Sequence, residues 1–212
     1  MSRTPPTGQA TPNRRRRQAA RAASRRRRRW GWIATTATVL AIAATITVVR
    51  LANHTTASSA PASATSGHPA PDGQFTTVSG ATMTVASLRG RPTLLWFVAT
   101  WCPSCQAGTP AVAHEFPRLR ANNVRVVEIE MYQDLGQPGP SIADFGKNLA
   151  GALYGDPDWI FGTSSADLTY AYNPKSYTDI YFLLDTNGRI TYTDGEPAGS
   201  MTTLLEQVDK LA

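Results

Sequence analysis

The sequence predicts an α/β domain that is preceded by one transmembrane helix, and three features carry this prediction. An apolar run at residues 93–99 indicates a buried central strand, and a segment of helix-like composition follows at residues 103–120. The Asn-Gly pair at 187–188, between two extended runs, is a strong hairpin signal. Residues 30–49 carry no charge, and as a helix they would span about 30 Å, the thickness of a bilayer's hydrocarbon core.

Each further element of the domain follows from its local pattern. β-branched and aromatic runs that are bounded by turn residues predict strands, and apolar residues at helical spacing predict helices. The further extended segments predicted in this way are residues 75–78, 83–85, 124–131, 180–184 and 189–193, and the further helices are residues 141–150, 165–171 and 201–211. Four tyrosines are expected to pack around the hairpin: Tyr170, Tyr172, Tyr177 and Tyr181.

The charge of the chain is unevenly distributed. Residues 1–29 contain eleven arginines and no acidic residue, whereas the remaining residues contain 10 basic and 15 acidic side chains. The positive-inside rule therefore places the basic tail in the cytoplasm and everything after the predicted span outside it. Attraction to anionic lipid explains such a tail, so the membrane is a predicted partner and nucleic acid is not.

The composition divides the chain into four parts. We predict a basic cytoplasmic tail at residues 1–29, a transmembrane anchor at 30–50, a flexible linker rich in Ala, Ser, Thr and Pro at 51–73, and the folded domain at 74–212. The sequence thus predicts a single-pass membrane protein with an extracytoplasmic domain. The alternative is a cleaved signal peptide and a secreted protein, although the apolar stretch is longer than the core of a usual signal peptide.

The only two cysteines of the chain, Cys102 and Cys105, stand in the sequence Trp-Cys-Pro-Ser-Cys between the predicted strand and helix. A thiolate is the attacking species in disulfide exchange, and the free N–H groups and positive dipole end of a helix favour it. We therefore expect Cys102 to be the nucleophile and the deeper Cys105 to resolve the mixed disulfide, so that the pair forms a redox-active disulfide. Pro103 suits the first helical turn, because that position needs no N–H donor.

The residues around the cysteines resemble the thioredoxin-like family. The resemblance rests on residues 94–105, on Pro110 eight residues after the first cysteine, and on residues 182–190, and it extends over residues 74–212. With its predicted anchor, the chain is similar to the TlpA/ResA group of membrane-anchored thiol-disulfide oxidoreductases, which includes the thiol reductases of cytochrome c biogenesis.

This resemblance implies a thioredoxin-like mixed sheet flanked by helices, and a thiol-disulfide oxidoreductase, favoured as a reductase, that needs no cofactor. The implied partners are protein disulfide substrates outside the cytoplasm, with apocytochrome c as one candidate, and a transmembrane electron donor. The implied substrate-binding residues are Trp101, Pro103, Thr178 and Asp179.

The sequence departs from the thioredoxin pattern opposite the dithiol. Thioredoxin-like proteins have a cis-proline at the start of the strand that faces the dithiol, and here Asp179, preceded by Thr178, occupies that place. Either this loop is built differently, or a non-proline cis bond is kept at a cost of about 3–4 kcal/mol. The departure affects substrate docking more than the redox chemistry.

A second departure is Trp96, six residues before the first cysteine, where thioredoxins bury an aspartate that assists proton transfer. Glu128, Glu130 or Asp134 could take over this role, because these acids lie at and after the end of the next strand. The commoner arrangement is that a strand carboxylate faces solvent.

The two cysteines could also serve functions other than thiol-disulfide exchange. A redox-sensing or assembly module on the same fold would use the dithiol only to control partner binding. A peroxidase on this fold typically uses Thr-x-x-Cys, and here Ala99 stands at the threonine position. A structural disulfide would close too small a ring to remove much unfolded-state entropy. No metal site is predicted, because His54 and His68 lie in the linker and His114 is expected to be a half-exposed helix residue.

Overall fold

Seven strands and four helices follow one another along residues 66–211, the part of the chain that the computed structural model describes. The strands are β1 (Gln74–Thr77), β2 (Thr82–Thr84), β3 (Thr93–Val98), β4 (Arg125–Glu130), β5 (Trp159–Ser164), β6 (Asp179–Leu184) and β7 (Ile190–Asp194). The helices are α1 (Pro103–Ala121), α2 (Ile142–Leu149), α3 (Ala166–Tyr172) and α4 (Pro197–Asp209). The predicted α/β order is confirmed, and α4 begins earlier than predicted because Pro197 can occupy a first-turn position.

The sheet is mixed, as the resemblance implied. Its strand order is β2-β1-β5-β4-β3-β6-β7, with β3, β4 and β5 parallel and the outer strands antiparallel to their neighbours. Every residue of β3 is buried, as expected for an apolar strand with a partner on each side. The carboxyl end of β3 therefore places the cysteines at one end of the central strands of the sheet.

Strand β5 is the element that the sequence pattern did not predict. Its Trp-Ile-Phe-Gly-Thr-Ser run contains a glycine, and glycine weakens a strand signal. The structure explains this residue, since a Cβ at Gly162 would lie 2.6 Å from the carbonyl oxygen of Thr76 on β1. The close approach of two backbones requires glycine here.

The hairpin between β6 and β7 confirms the Asn-Gly prediction. Asp185 Oδ1 accepts hydrogen bonds from the backbone N–H groups of Asn187 at 2.9 Å and Arg189 at 2.8 Å. Gly188 has a φ of 74°, a conformation that glycine adopts without the strain of a side chain.

The folded domain begins before the predicted boundary at Gln74. The sequence predicts residues 66–73 as the end of a flexible linker, but Gly67 N–H donates to the Ile190 carbonyl at 2.7 Å. In addition, the Tyr172 hydroxyl donates to the Pro71 carbonyl at 2.7 Å. These contacts use the backbone of the segment, so its lack of apolar side chains does not prevent it from packing against the domain.

The tyrosine prediction is right for two of the four residues. Tyr172 and Tyr181 are buried, and Tyr172 stacks on Phe97 of β3 at 4.9 Å between ring centroids. Tyr170 and Tyr177 are instead 61% and 51% exposed. Tyr170 projects from the solvent side of α3, and Tyr177 lies in the loop that follows this helix.

Among residues 66–211, no helix has the length and apolar character needed to cross a bilayer. The predicted anchor at residues 30–50, the basic tail and most of the predicted linker lie outside the described residues.

Candidate active site

Cys102 and Cys105 lie where β3 passes into α1. Cys102 is the N-cap residue of α1, with an extended backbone (φ −77°, ψ 126°), and Pro103 follows in the first helical turn. Both cysteines are free thiols. The N-cap position brings the Cys102 sulfur to the helix end whose N–H groups lack intrahelical partners.

Hydroxyl groups surround the Cys102 sulfur. Its Sγ lies 3.1 Å from Ser104 Oγ, and the thiol donates at 3.1 Å to Thr178 Oγ1, a hydroxyl that can turn and donate once the thiol ionises. Burial raises the pKa of Cys102, but hydrogen bonds from Ser104, Thr178 and the Cys105 backbone outweigh burial and leave this pKa below its ordinary value. The residue is 4% exposed, so the sulfur is largely covered in this conformation.

The second sulfur has the opposite setting. Cys105 is fully buried, and its thiol donates to the carbonyl oxygen of Thr178 at 3.0 Å. Burial, together with the negative charges of Asp179 and Cys102, raises the pKa of Cys105 above its ordinary value. Cys105 is therefore a protonated thiol, and Cys102 is the sulfur that ionises first.

Thr178 lies opposite the dithiol, where counting along the sequence places it. Its hydroxyl contacts Cys102, and its carbonyl oxygen accepts hydrogen bonds from Cys105 and from the backbone N–H of Ala99, the latter at 2.9 Å. One residue thus contacts both sulfurs and ties the start of β6 to the end of β3.

The loop before Thr178 differs from the thioredoxin pattern in its construction. No peptide bond between residues 66 and 211 is cis, so the first of the two expected alternatives holds. The Asn173 side chain fixes the loop, because its Oδ1 accepts from Tyr177 N–H at 2.9 Å and its Nδ2 donates to the Tyr177 carbonyl at 2.6 Å.

Asp179 and Trp96, the two departures from the thioredoxin pattern, contact each other. Trp96 Nε1 donates to Asp179 Oδ1 at 2.6 Å, and both side chains are buried. Gly108 on α1 makes room for this pair, since a Cβ there would lie 2.8 Å from the Trp96 ring. The site therefore contains a buried carboxyl group after all, on β6 instead of β3. Its burial favours a role inside the site over the predicted contact with substrate.

Trp101 and Pro103 lie beside the dithiol at the surface, and their contact with substrate stays a prediction. Pro103 is exposed, whereas Trp101 is half-buried and donates from Nε1 to the Asp134 carbonyl at 2.8 Å. The Asp134 carboxylate accepts from the Thr100 N–H and from the Thr100 hydroxyl, both at 2.7 Å. Asp134 thus fixes the turn before the dithiol, and each of its carboxylate oxygens accepts a hydrogen bond from Thr100.

Glu128 is fully buried, which corrects the expectation that this strand carboxylate faces solvent. β4 lies between β3 and β5, so its side chains point into packed layers. Thr109 Oγ1 donates to Glu128 Oε1 at 2.7 Å, and Trp159 Nε1 donates to Oε2 at 3.1 Å. Burial raises the pKa of Glu128 to about 8. Burial also raises the pKa of the half-buried Glu130.

A cavity of about 590 Å³ is lined in part by Asp179. Its walls include Asp179 and Tyr177, together with Asp194 at the end of β7, Glu196 just before α4 and Ser200 in the first turn of α4. The lining residues, all within the described chain, include no lysine or arginine. The cavity therefore joins a buried acid to an acidic and hydroxyl-rich surface.

Within residues 66–211, no group of three or more His, Cys, Asp and Glu side chains could hold a metal ion. His114 is 84% exposed on α1 beside Glu115, which makes it more exposed than expected.

Ser104 is a site residue that the sequence analysis missed, because an uncharged serine between the two cysteines gives no sign of its own that it contacts a sulfur. A hydroxyl two residues after an N-cap thiol can turn back to it, and this spacing is the signal that identifies Ser104. The pairing of Trp96 with Asp179 has no local signal, since 83 residues separate the two partners in sequence.

The chain is similar to the soluble secreted antigen MPT53 of Mycobacterium tuberculosis and Mycobacterium bovis, with 29% identity over 115 residues. This match covers 48% of the chain and 64% of the relative. The chain thus spans less than two thirds of the length of these curated relatives.

Solved structures share the fold. A Chlorobium tepidum protein assigned as thiol:disulfide interchange protein DsbE matches with a TM-score of 0.57 and 19% identity, over 70% of this chain and 99% of that one. A secreted Mycobacterium tuberculosis disulfide oxidoreductase homologous to Escherichia coli DsbE matches with a TM-score of 0.50 and 25% identity, over 65% and 95% of the two chains. These likenesses confirm the thioredoxin-like mixed sheet with its flanking helices.

The family comparison covers most of the described residues. The sequence model of the Redoxin family matches residues 65–208, a range that includes both cysteines and the Thr178–Asp179 segment. This match and the likeness to the secreted Mycobacterium tuberculosis disulfide oxidoreductase support the prediction of an enzyme that exchanges thiols and disulfides. The chain belongs to the Redoxin family.

Proposed function

We propose that this protein is a thiol-disulfide oxidoreductase that acts on protein disulfides, with Cys102 as the nucleophile and Cys105 as the resolving thiol. The observation that carries the proposal is the asymmetry of the two sulfurs. The pKa of Cys102 is lowered by hydrogen bonds, whereas burial raises the pKa of Cys105. Such a pair provides one thiolate that can attack a substrate disulfide and one protonated thiol that can resolve the mixed disulfide.

The proposed reaction runs in two exchange steps. The Cys102 thiolate attacks one sulfur of a substrate disulfide, the substrate S–S bond breaks, and the other substrate sulfur leaves as a thiolate. Cys105 then loses its proton and attacks Cys102 Sγ, which releases the second substrate thiolate and closes the Cys102–Cys105 disulfide. Two electrons pass from the dithiol to the substrate, and a transmembrane electron donor restores the dithiol.

The direction and location of the reaction belong to the proposal. The resemblance to the TlpA/ResA group favours a reductase, including one that serves cytochrome c biogenesis, and the arginine-rich tail favours an extracytoplasmic domain. The description of MPT53 as soluble and secreted also supports an extracytoplasmic location for the domain proposed here. A redox titration in glutathione buffers tests the direction, because a potential as high as that of a dedicated oxidant would rule out a reductase.

Insulin reduction by the full-length protein in detergent, with dithiothreitol as the reductant, tests the activity. We expect catalysed precipitation of the insulin B chain, and we expect Cys102→Ser to reduce the rate to that of dithiothreitol alone. Ala107→Ser is the matched control, since it introduces a serine at an exposed position of the same helix. Full activity of Cys102→Ser would contradict the proposed nucleophile.

A binding or redox-sensing module is the second candidate, and the 4% exposure of Cys102 favours it. A sulfur this well covered suits a dithiol whose oxidation state changes the surface for a partner. The same insulin assay distinguishes the two functions, because the module predicts a wild-type protein that cycles between dithiol and disulfide but does not accelerate insulin reduction.

A further inference from the structure

Asp179 has one carboxylate oxygen bonded and one free, although the residue is only 8% exposed. Oδ1 accepts from Trp96 Nε1 at 2.6 Å, while Oδ2 is buried and has no hydrogen-bond partner. The Ser104 side chain and the Glu196 backbone lie near enough to lower the pKa of Asp179, but neither makes a hydrogen bond to Oδ2. Buried polar atoms are seldom left unpaired, so a free carboxylate oxygen next to reactive groups requires an explanation.

Cys105 is the thiol that needs a proton acceptor. Its proton is directed to the Thr178 carbonyl at 3.0 Å, and a carbonyl oxygen cannot take that proton away. Asp179 is the residue bonded to Thr178 in the chain, and its charge acts on Cys105 strongly enough to raise the pKa of this thiol. The free oxygen and the proton that must leave therefore belong to adjoining groups.

We propose that Asp179 Oδ2 accepts the Cys105 proton when the mixed disulfide is resolved. The inference rests on the proposed function and assigns the proton transfer within it. As the Cys105 S–H bond breaks, the proton passes to Oδ2, and the sulfur electron pair forms the bond to Cys102 Sγ. The bond from Cys102 to the substrate sulfur breaks, and the substrate leaves with that electron pair as a thiolate. Asp179 then releases its proton to solvent.

The cavity beside Asp179 provides the route for this release. Its volume is about 590 Å³, and Asp179 lines it together with Asp194, Glu196 and Ser200. The ionisable groups that act on Asp179 and its partners from the surrounding elements are Cys102 and Cys105 from α1, Glu128 from β4, and Glu196 before α4. None of these groups is a cation, so no fixed positive charge holds Asp179 permanently ionised.

Glu128 is the competing buried acid, and its hydrogen bonds argue against it. Both of its oxygens are occupied, Oε1 by the Thr109 hydroxyl and Oε2 by the Trp159 indole. A proton arriving at Glu128 would have to share an oxygen that already accepts a hydrogen bond, whereas Asp179 Oδ2 accepts none. Asp179 is also the carboxylate whose charge acts directly on Cys105.

The reaction of the reduced full-length protein with Ellman's reagent separates the two steps. Attack by Cys102 releases the first thionitrobenzoate in a phase that depends on reagent concentration. Attack by Cys105 on the resulting mixed disulfide releases the second in a phase that does not. We expect Asp179→Asn to slow the second phase at neutral pH about 100-fold, the lower end of what a positioned base contributes. The first phase should stay within about 3-fold of wild type, because hydrogen bonds to Cys102 remain.

The sign of this effect distinguishes proton transfer from electrostatics alone. If Asp179 acted only through its charge, its removal would lower the pKa of Cys105 and accelerate the second phase. In wild type the second phase should also accelerate with pH as Asp179 ionises, and this rise should be missing in Asp179→Asn. Asp167→Asn is the matched control, an exposed aspartate at the start of α3.

Trp96→Phe provides a second test that keeps the carboxyl group. The substitution removes the hydrogen bond that favours the ionised form, so the pH at which the second phase accelerates should move upward relative to wild type. An unchanged or faster second phase in Asp179→Asn, or an unmoved inflection in Trp96→Phe, would overturn the assignment. If the wild-type protein shows both phases and reduces insulin but the variants fail these tests, only the role of Asp179 is wrong. If the wild-type protein does not reduce insulin, the proposed function itself is contradicted.

Discussion

Two regions meet at the start of α1, and each surrounds one sulfur of the dithiol. Around Cys102 lie the hydroxyls of Ser104 and Thr178, both at 3.1 Å from the sulfur. Around Cys105 the surroundings are buried, and the charge that acts on the thiol is that of Asp179. Both sulfurs are near the same helix N-terminus, so the helix dipole cannot by itself explain why their pKa values move in opposite directions. The difference shows that burial of Cys105, reinforced by the charge of Asp179, and hydrogen bonds to Cys102 determine which thiol ionises.

The largest expected effect is the difference in alkylation rate between the two thiols. In the reduced, folded protein we expect iodoacetamide to modify Cys102 at neutral pH at least about 1000-fold faster than Cys105, because Cys105 is sealed and protonated and reacts only through opening of the structure. Peptide mass spectrometry over a time course measures both rates.

Unfolding in urea is the control for the alkylation experiment, since it should make the two rates similar. Equal rates in the folded protein would remove the asymmetry on which the proposed function depends. A Cys102 rate no higher than that of a small free thiol would do the same, and the 4% exposure of Cys102 makes this a demanding test.

The region of Cys102 could be predicted from sequence more completely than the region of Cys105. The strand, the dithiol and the helix follow one another in the chain, and the position of Thr178 follows from counting back from the hairpin strand. The burial of Glu128 could not be predicted, because it depends on pairing with β5, a strand whose sequence signal is weakened by Gly162. The Trp96–Asp179 hydrogen bond is likewise a product of tertiary structure, since β3 and β6 become neighbours only in the folded sheet.

Glu128 also belongs to the second region, because Thr109, one helical turn after Cys105, donates to the Cys105 carbonyl at 3.2 Å and to Glu128 Oε1 at 2.7 Å. The buried acids of this region predict how stability depends on pH. Burial raises the pKa of Glu128 to about 8, so the folded protein holds this proton more tightly than the unfolded chain does. Its contribution is therefore most favourable below the unfolded pKa, near 4.3, and is lost as the pH rises towards the folded value. At about 1.4 kcal/mol per pKa unit, we expect the free energy of unfolding to fall by roughly 2–4 kcal/mol between about pH 5 and about pH 8.

Glu128→Gln should remove most of this fall, because glutamine does not titrate. Urea unfolding at a series of pH values measures the effect, and Glu206→Gln, at an exposed position of α4, is the matched control. Asp179, whose pKa is also raised by burial, leaves a smaller residual slope of the same sign. A Glu128→Gln variant with the full wild-type pH dependence would show that titration of Glu128 does not cause the fall in the free energy of unfolding.

The smallest expected effect isolates one hydroxyl of the first region. Thr178→Val removes the donor to the Cys102 thiolate, while the Thr178 carbonyl that accepts from Cys105 belongs to the backbone and is kept. A hydrogen bond to a charged group contributes about 1.5–3 kcal/mol, so the pKa of Cys102 should rise by about one unit or slightly more. Alkylation at neutral pH should slow about 10-fold, and the pH profile of the alkylation rate should shift upward by about one pH unit.

Thr178→Ser and Thr203→Val separate this hydroxyl effect from a packing effect. Serine restores the donor and should restore the wild-type pH profile, whereas Thr203→Val makes the same chemical change at an exposed position of α4 and should leave the profile unchanged. If Thr178→Val and Thr178→Ser shifted the profile equally, the shape of the side chain would matter and its hydroxyl would not. The low pKa of Cys102 would then depend on Ser104 and the helix N-terminus alone, and the two sulfurs would differ chiefly in burial.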